Sequence, residues 1–385
     1  VVSAVAALVI AMVFAPPAVA QKPAIYVQYH IWYDRGPCPA ANPRHEWLHW
    51  AWWSTQDDPC STTVQLPWMR HITSITYPLI GPYASADPSV LRWHIRLAKA
   101  AGIDGFLVSV FPAIEPEFWD RFDLMLRIAH QEKFKLGLEG WTPPASLVAA
   151  WQSETRRYLE YFPQRSPYRS AILRMDGRPV VWFNFSGRTQ GLAETAAYLN
   201  SVEAFWIFSG SMPLEEERAL NALLTRAMAV REVSYNYPTE TGWGINRALS
   251  QELADRRAIG LRTVTQGFPG YDEQLINHEP GRASRFALRQ GGQALRGYLQ
   301  AARSAGADAL IISSWNEWNE TTQLEPGVDA LPLTRTVREP IYGADPYGPL
   351  KVIAEYKGLV WRAPALPCRI LDPLLISHRV RPCRP

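Results

Sequence analysis

The sequence is short of net charge and of cysteine, and each shortage removes a class of function. Lys and Arg number 39 against 36 Asp and Glu, a net charge of +3, and the two signs are interleaved along the 385 residues. No cationic stripe is left to hold a polyphosphate backbone, so nucleic acid is not expected as a partner. Past residue 20, no run reaches the roughly 18 uncharged apolar residues that a membrane span needs. The four cysteines include no C-x-x-C pair, the usual spacing of a structural zinc site. A G-x-S-x-G nucleophile turn and a glycine-rich phosphate loop are missing, as are internal repeats and low-complexity linkers. The sequence therefore calls for no cofactor and no metal, and for a single large domain.

What the chain has instead is apolar and aromatic bulk. Hydrophobic residues make up 47% of it, spread along its length, with 16 Trp and 16 Tyr among them. That is ample for a large core. Residues 1–20, VVSAVAALVIAMVFAPPAVA, carry no charge, break at Pro16-Pro17 and end in Ala18-Val19-Ala20, the apolar region and A-x-A site of a secretory signal. With no Met or basic segment ahead of it, the leader is expected to lack its first residues; a retained anchor is the alternative. The mature chain is expected to start near Gln21, to be secreted or otherwise extracytoplasmic, and to be a monomer. Export permits disulfides. Cys38 with Cys60, and Cys368 with Cys383, is the simplest of the three pairings that four cysteines allow.

Eight strand-length apolar segments recur, at 24–30, 104–111, 135–141, 179–185, 203–210, 232–238, 262–268 and 309–315. Amphipathic stretches such as 88–101, 116–131 and 290–305 lie between them, where right-handed crossovers belong. The expected fold is an α/β protein, a (β/α)8 TIM barrel over residues 21–365 with long loops over its C-terminal face. The loop after the first strand is the longest and holds Cys38 and Cys60, so it should fold over the mouth. Residues 366–385 form a Pro-rich tail expected to be clipped by its own disulfide.

A barrel builds its site at the C-terminal ends of its strands. Reading those ends gives Tyr29, His30, Trp32 and Tyr33; Glu139 and Trp141; Asn184; Tyr235, Asn236 and Tyr237; Gln266 and Tyr271; and a last cluster running from Trp315 to Glu320. Carboxylates amid aromatic rings suit sugar hydrolysis. A glycosidic bond breaks through an oxocarbenium-like state, in which one acid protonates the leaving oxygen and a second carboxylate assists at the anomeric centre. Aromatic faces hold the C–H faces of sugars. Glu317 and Glu320 are the catalytic candidates, three residues apart and adjacent if the chain turns into a helix after the eighth strand. Such a pair is by itself the ordinary pattern of a solvated helix face. Its position at the end of an apolar strand, between Trp315 and Trp318, points to chemistry, and two close carboxylates divide into an acid and a base.

The segment Ser314 to Pro326, SWNEWNETTQLEP, resembles the signature of glycoside hydrolase family 99, the endo-α-mannosidases, and of related family 71 and polysaccharide-locus proteins. Further pieces match in order: Tyr29 to Tyr33, Trp47-Leu48-His49-Trp50, Tyr77 to Tyr83 with Ser85 and Asp87-Pro88, Ala101 to Gly105, Leu138-Glu139, and Pro269 to Asp272. The resemblance implies a retaining, endo-acting α-glycosidase. Glu317 would be the base that takes the proton of the sugar 2-hydroxyl, whose oxygen then closes a 1,2-anhydro ring. Glu320 would be the acid for the leaving oxygen and then the base for water. Tyr29, Tyr83, Glu139 and Tyr237 would bind substrate. With the strand-end residues, the candidate binding set adds Trp32, Tyr33, His49, Trp141, Tyr235, Tyr271, Asn316 and Gln323, all for an oligo- or polysaccharide. The chain departs from the family where H-E-G-T reads Asn319-Glu320-Thr321-Thr322, and where aromatic residues expected after the second strand read Ser109-Val110-Phe111.

Two rival functions remain. The same barrel could bind sugar or assemble polysaccharide without hydrolysis, a reading favoured if one of the glutamates is locked in a salt bridge. His45-Glu46-Trp47-Leu48-His49 fits the H-E-x-x-H pattern of zinc proteases, which needs both histidines on one helix face and a third ligand.

Overall fold

A computed structural model describes residues 22–42, 46–51, 58–62, 67–110, 117–141, 148–184, 192–209, 214–224, 229–233, 248–277, 283–329 and 339–378. The leader expected at 1–20 lies outside the described residues. Eight parallel strands form the centre: β1 (Ala24–His30), β3 (Gly105–Val110), β4 (Leu136–Trp141), β6 (Arg178–Asn184), β7 (Phe205–Ser209), β8 (Ala229–Val233), β9 (Arg262–Gly267) and β12 (Ala309–Ile312). Among the described residues there are also five short strands: β2 (Thr76–Pro78), β5 (Arg174–Met175), β10 (Tyr271–Asp272), β11 (Phe286–Ala287) and β13 (Gly327–Asp329). The parallel ladders run β1–β3–β4–β6–β7–β8–β9–β12 and β12 pairs again with β1. Each central strand is followed by a helix: α1 (Pro88–Ala101), α2 (Phe118–Glu132), α3 (Val148–Tyr161), α4 (Leu192–Asn200), α5 (Leu214–Leu223), α6 (Leu249–Ala258), α7 (Gln293–Ser304) and α8 (Gly348–Lys357). The fold is TIM-barrel-like.

The two-residue period of the strands divides the core into two clusters. Tyr26, Leu107, Val180, Trp182, Ile207, Val264, Ala309 and Ile311 pack with one another inside the sheet. Their chain neighbours Ile25, Val27, Phe106, Val108, Val181, Trp206, Leu310 and Ile312 pack outward with the helices. Further along the inward phase the residues turn polar. Gln28 Nε2 reaches both carboxylate oxygens of Glu139, at 2.8 and 2.9 Å, and Gln266 Nε2 donates to Ser313 Oγ at 2.6 Å. The barrel thus has an apolar plug beneath a polar floor at its C-terminal end.

Most of the expected strands fall within a residue or two of the observed bounds, with two departures. The last strand, expected to reach 315, stops at Ile312, where the chain leaves the sheet for the site loop. β8 begins three residues before the expected 232–238, of which 234–238 lie outside the described residues; the charge of Arg231 just ahead of that segment broke the apolar pattern. The loop between β1 and α1 carries the Cys38–Cys60 disulfide, the expected pairing. Its strand β2 pairs antiparallel with β13, stitching the loop to the chain that follows β12. The tail is not a loose end. Asp372, fully buried, caps α9 (Pro373–Ser377) and receives Arg70 Nε at 2.6 Å, with Arg35 at 3.4 Å, while its backbone N–H donates to Ile80 O. Cys368 is not free, and Cys383 lies outside the described residues. Among the described residues no helix is long and apolar enough to cross a membrane.

Candidate active site

The chain after β12 is shaped by side chains of β1 and of the long loop. Asn316 acts as a ladder partner for the end of β1: its Oδ1 accepts the His30 N–H and its Nδ2 donates to the His30 carbonyl, each at 2.8 Å. Tyr33 Oη donates to the Asn316 carbonyl at 2.8 Å and accepts the Trp318 N–H at 3.2 Å. Glu325 is wholly buried and its carboxylate is fully engaged, receiving Tyr83 Oη at 2.6 Å, Trp318 Nε1 at 3.0 Å and His94 Nε2 at 3.1 Å. Tyr29 Oη meets the other ring nitrogen of His94 at 2.9 Å. Gln323 Nε2 donates to Thr76 Oγ1 of β2 at 2.9 Å. Every one of these groups is buried, so the loop carrying the two candidate glutamates is held from beneath by a closed polar network.

The segment 314–321 is a run of bends and a turn, so the helix that would set Glu317 and Glu320 side by side does not form. Its carbonyls are taken from the side instead of by the next helical turn. The Asp272 N–H of β10 donates to Glu320 O at 2.8 Å, and buried Arg289, just past β11, donates from Nη2 to both Thr321 O and Gln323 O at 2.8 Å. Thr321 sits at a φ of 59°, which halts any helix there.

Glu317 is 8% exposed, and burial pushes its carboxyl up to about 8. Its Oε2 lies 3.3 Å from His30 Nε2. Burial lowers the His30 pKa to about 4, although Glu139 pulls it upward, so the imidazole is neutral at neutral pH and the contact is not an ion pair. The His30 ring stacks on Trp32 at 4.0 Å, and Trp32 stacks on His49 at 4.2 Å, giving a three-ring wall beside Glu317. Glu139, on the polar floor, is raised to about 7, chiefly by burial, with His30, Ser109 and Gln28 opposing and Glu317 adding to the rise. Glu320 is half-buried and lies higher still, raised by desolvation, then by the Glu317 and Glu273 charges, against Arg285. Burial thus holds both carboxyls above the ordinary carboxylate range, and a charge on Glu317 tightens the proton on Glu320.

No family model matches the chain. It is 23% identical over 328 residues to a glycoprotein endo-α-1,2-mannosidase-like protein of Danio rerio, covering 79% of this chain and 71% of that one. The human protein of the same description is 24% identical over 343 residues, covering 81% and 70%. Two solved structures of the family 99 endo-α-mannosidase of Bacteroides thetaiotaomicron, one of them with bis-tris propane, superpose with TM-scores of 0.63 and 0.66 at 20% and 18% identity. Each covers 87% of this chain and 96% of that one. The chain has the fold of the family 99 endo-α-mannosidases. Its sequence resemblance to endo-α-mannosidase-like proteins spans the barrel and not just one motif.

On this fold the expected residues fall into distinct groups. Glu317 and Glu320 share the loop after β12, with Glu139, Trp32 and His49 on the same side as Glu317. Tyr29, Tyr33, Tyr83, Asn316 and Gln323, expected as sugar ligands, turn their polar atoms into the protein and brace the loop. Tyr271 directs its hydroxyl to Glu273, 2.9 Å away. Trp141 ends β4, while Tyr235 and Tyr237 lie outside the described residues. His49 has a left-handed φ of 60° and stacks on Trp32, which is not the helix face the zinc motif needs; His45 lies outside the described residues. Sequence reasoning gave no part to Gln28, His94, Arg289 or Glu273. Gln28 and His30 share the alternating phase of Tyr26, a signal that was open to reading; nothing local marks the other three.

Proposed function

We propose that the protein is a secreted, retaining glycoside hydrolase that cleaves α-linked glycan in the manner of an endo-α-mannosidase, through a 1,2-anhydro sugar. Glu317 is the base for the sugar 2-hydroxyl. Glu320 protonates the leaving oxygen, then takes the proton of the water that opens the anhydro ring. The observation that carries this reading is where the pair stands: both glutamates lie on the loop after β12, Glu317 beside neutral His30, and a charge on Glu317 raises the Glu320 carboxyl. Neutral His30 beside Glu317 leaves that carboxylate able to accept a proton, where a fixed ion pair would oppose it. Glu139 at the floor supplies a hydrogen-bonding carboxyl, and the His30–Trp32–His49 stack supplies an aromatic wall, for the sugar. Tyr29, Tyr33, Tyr83, Asn316 and Gln323 hold the catalytic loop. The leader-like segment and the Cys38–Cys60 disulfide support export.

The test is to incubate purified protein with α-mannan, α-1,3-glucan and N-glycan fragments and to analyse the products. Cleavage with retained anomeric configuration, lost in Glu317→Gln and Glu320→Gln, is the expected result. Tight binding without products would instead favour the sugar-binding reading.

A further inference from the structure

Beside the candidate acid lie charged groups that the reaction as written does not use. They belong to the β10–β11 hairpin, inserted between β9 and α7. Glu273, next after β10, has a carboxylate only 2% exposed. Arg285, just before β11, grips it three times: its N–H donates to Oε1 at 2.8 Å, and Nε and Nη2 donate to Oε2 at 2.9 and 2.7 Å. The Tyr271 hydroxyl adds a fourth donor at 2.9 Å. The hairpin is also fastened to the acid's own loop through the Asp272 N–H on Glu320 O and through Arg289 on Thr321 O. A buried anion is thus fixed relative to Glu320 by main-chain contacts.

We propose that Glu273 and Arg285 are positioning residues for the acid: the Glu273 carboxylate, clamped on the hairpin, keeps the proton on Glu320, and Arg285 limits how strongly it does so. The inference rests on the reading of Glu320 as the acid. Three charged groups act on Glu320 from the elements packed against it. Glu317 on its own loop and Glu273 on the hairpin raise its pKa, and Arg285 opposes them. Tyr271 stays neutral, its pKa raised by burial and then by Glu320 itself and Glu273. The Asp272 carboxylate is engaged by the backbone and side chain of Gln274, each at 3.1 Å. Glu273 keeps its charge throughout the working range: burial would raise it, but the Arg285 and Tyr271 hydrogen bonds outweigh that and leave it at about 2. A permanently ionised carboxylate beside one that must stay protonated is a way to widen the pH range of an acid.

The decisive experiment follows the Glu320 carboxyl directly, in full-length protein labelled with 13Cδ-glutamate, taking the resonance absent from Glu320→Gln as its own. Glu273→Gln should lower its titration midpoint by about one pH unit, and Arg285→Gln should raise it, the opposite sign. Glu273→Asp, which keeps the charge, should restore most of the wild-type midpoint. The alkaline limb of kcat/KM should move with the midpoint in each variant. Midpoints that stay put, or that move the same way in Glu273→Gln and Arg285→Gln, overturn the inference. If the midpoints move in opposite directions in a protein that hydrolyses no glycan, the electrostatic link is sustained and the acid assignment falls instead.

Discussion

At the scale of single residues, the two glutamates are chemically alike and distinguished by their surroundings. Glu317 lies next to neutral His30, and burial raises both carboxyls, Glu320 further through the Glu317 charge. The rate should therefore be bell-shaped, with both limbs displaced above the ordinary carboxylate range and belonging to the pair. A glycosyl fluoride, whose leaving group needs little protonation, separates the roles. Glu320→Gln should retain turnover on the fluoride without the alkaline fall, and Glu317→Gln should be inactive on it. Rescue of Glu317→Gln alone would mean that the assignments are reversed. Thr321, next to the candidate acid, stands where the resemblance expects glycine. A β-branched residue at φ 59° carries strain of about 1–2 kcal/mol, and its hydroxyl finds no partner among the described residues. Thr321→Gly relieves that strain at some cost in backbone entropy, so urea unfolding should show a gain of up to about 1 kcal/mol. A loss of stability would mean that the buried methyl group outweighs the strain.

The elements show how far a sequence reveals a site. α1 was legible to the residue, because Asp87 caps its start, accepting the Ser89 and Val90 N–H groups, and Gly102 ends it at a φ of 79°. The strands were legible because burial on both faces makes them continuously apolar. The carboxylate pair drew notice by its place just past such a strand, although β12 stops at Ile312 and the pair stands on the loop beyond it. What could not be read is which face each tyrosine takes: Tyr29 and Tyr83 look like sugar ligands in one dimension and serve His94 and Glu325 in three. Nor could local pattern reveal the hairpin that clasps the candidate loop, since Arg289 meets Thr321 across 32 residues of chain. Arg289→Met tests that clasp. It deletes two hydrogen bonds to buried carbonyls, so unfolding free energy should fall by roughly 2–4 kcal/mol, with kcat reduced more than KM is raised. Wild-type stability in this variant would shift the holding role to Asp272 and Tyr33.

For the molecule as a whole, the site is where function and stability pull apart. Glu139 and Glu317 have folded pKa values of about 7 and 8, and Glu320 lies higher, whereas an unfolded glutamate titrates at about 4.3. A group whose pKa is raised by folding contributes fully below the unfolded value, and that contribution is lost as pH climbs through the folded one. The three carboxyls should therefore weaken the fold progressively from about pH 4.5 to above 8. The buried histidines act in the other direction. His30 and His49, lowered to about 4 and about 3 mainly by burial, leave the fold at full strength above the unfolded value of about 6.5 and weaken it as pH falls toward 4. Replacing a site carboxyl by its uncharged isostere should separate the two effects. Glu317→Gln should melt a few degrees above wild type at pH 8, about 2–4 °C for each kcal/mol recovered in a chain of this size, and close to wild type at pH 4. The same variant is expected to lose turnover, and the gain in melting temperature would then measure what the proposed base costs the fold. An equal offset at both pH values would assign the change to packing, and no offset at pH 8 would mean that His30 and the loop amides already compensate the Glu317 charge.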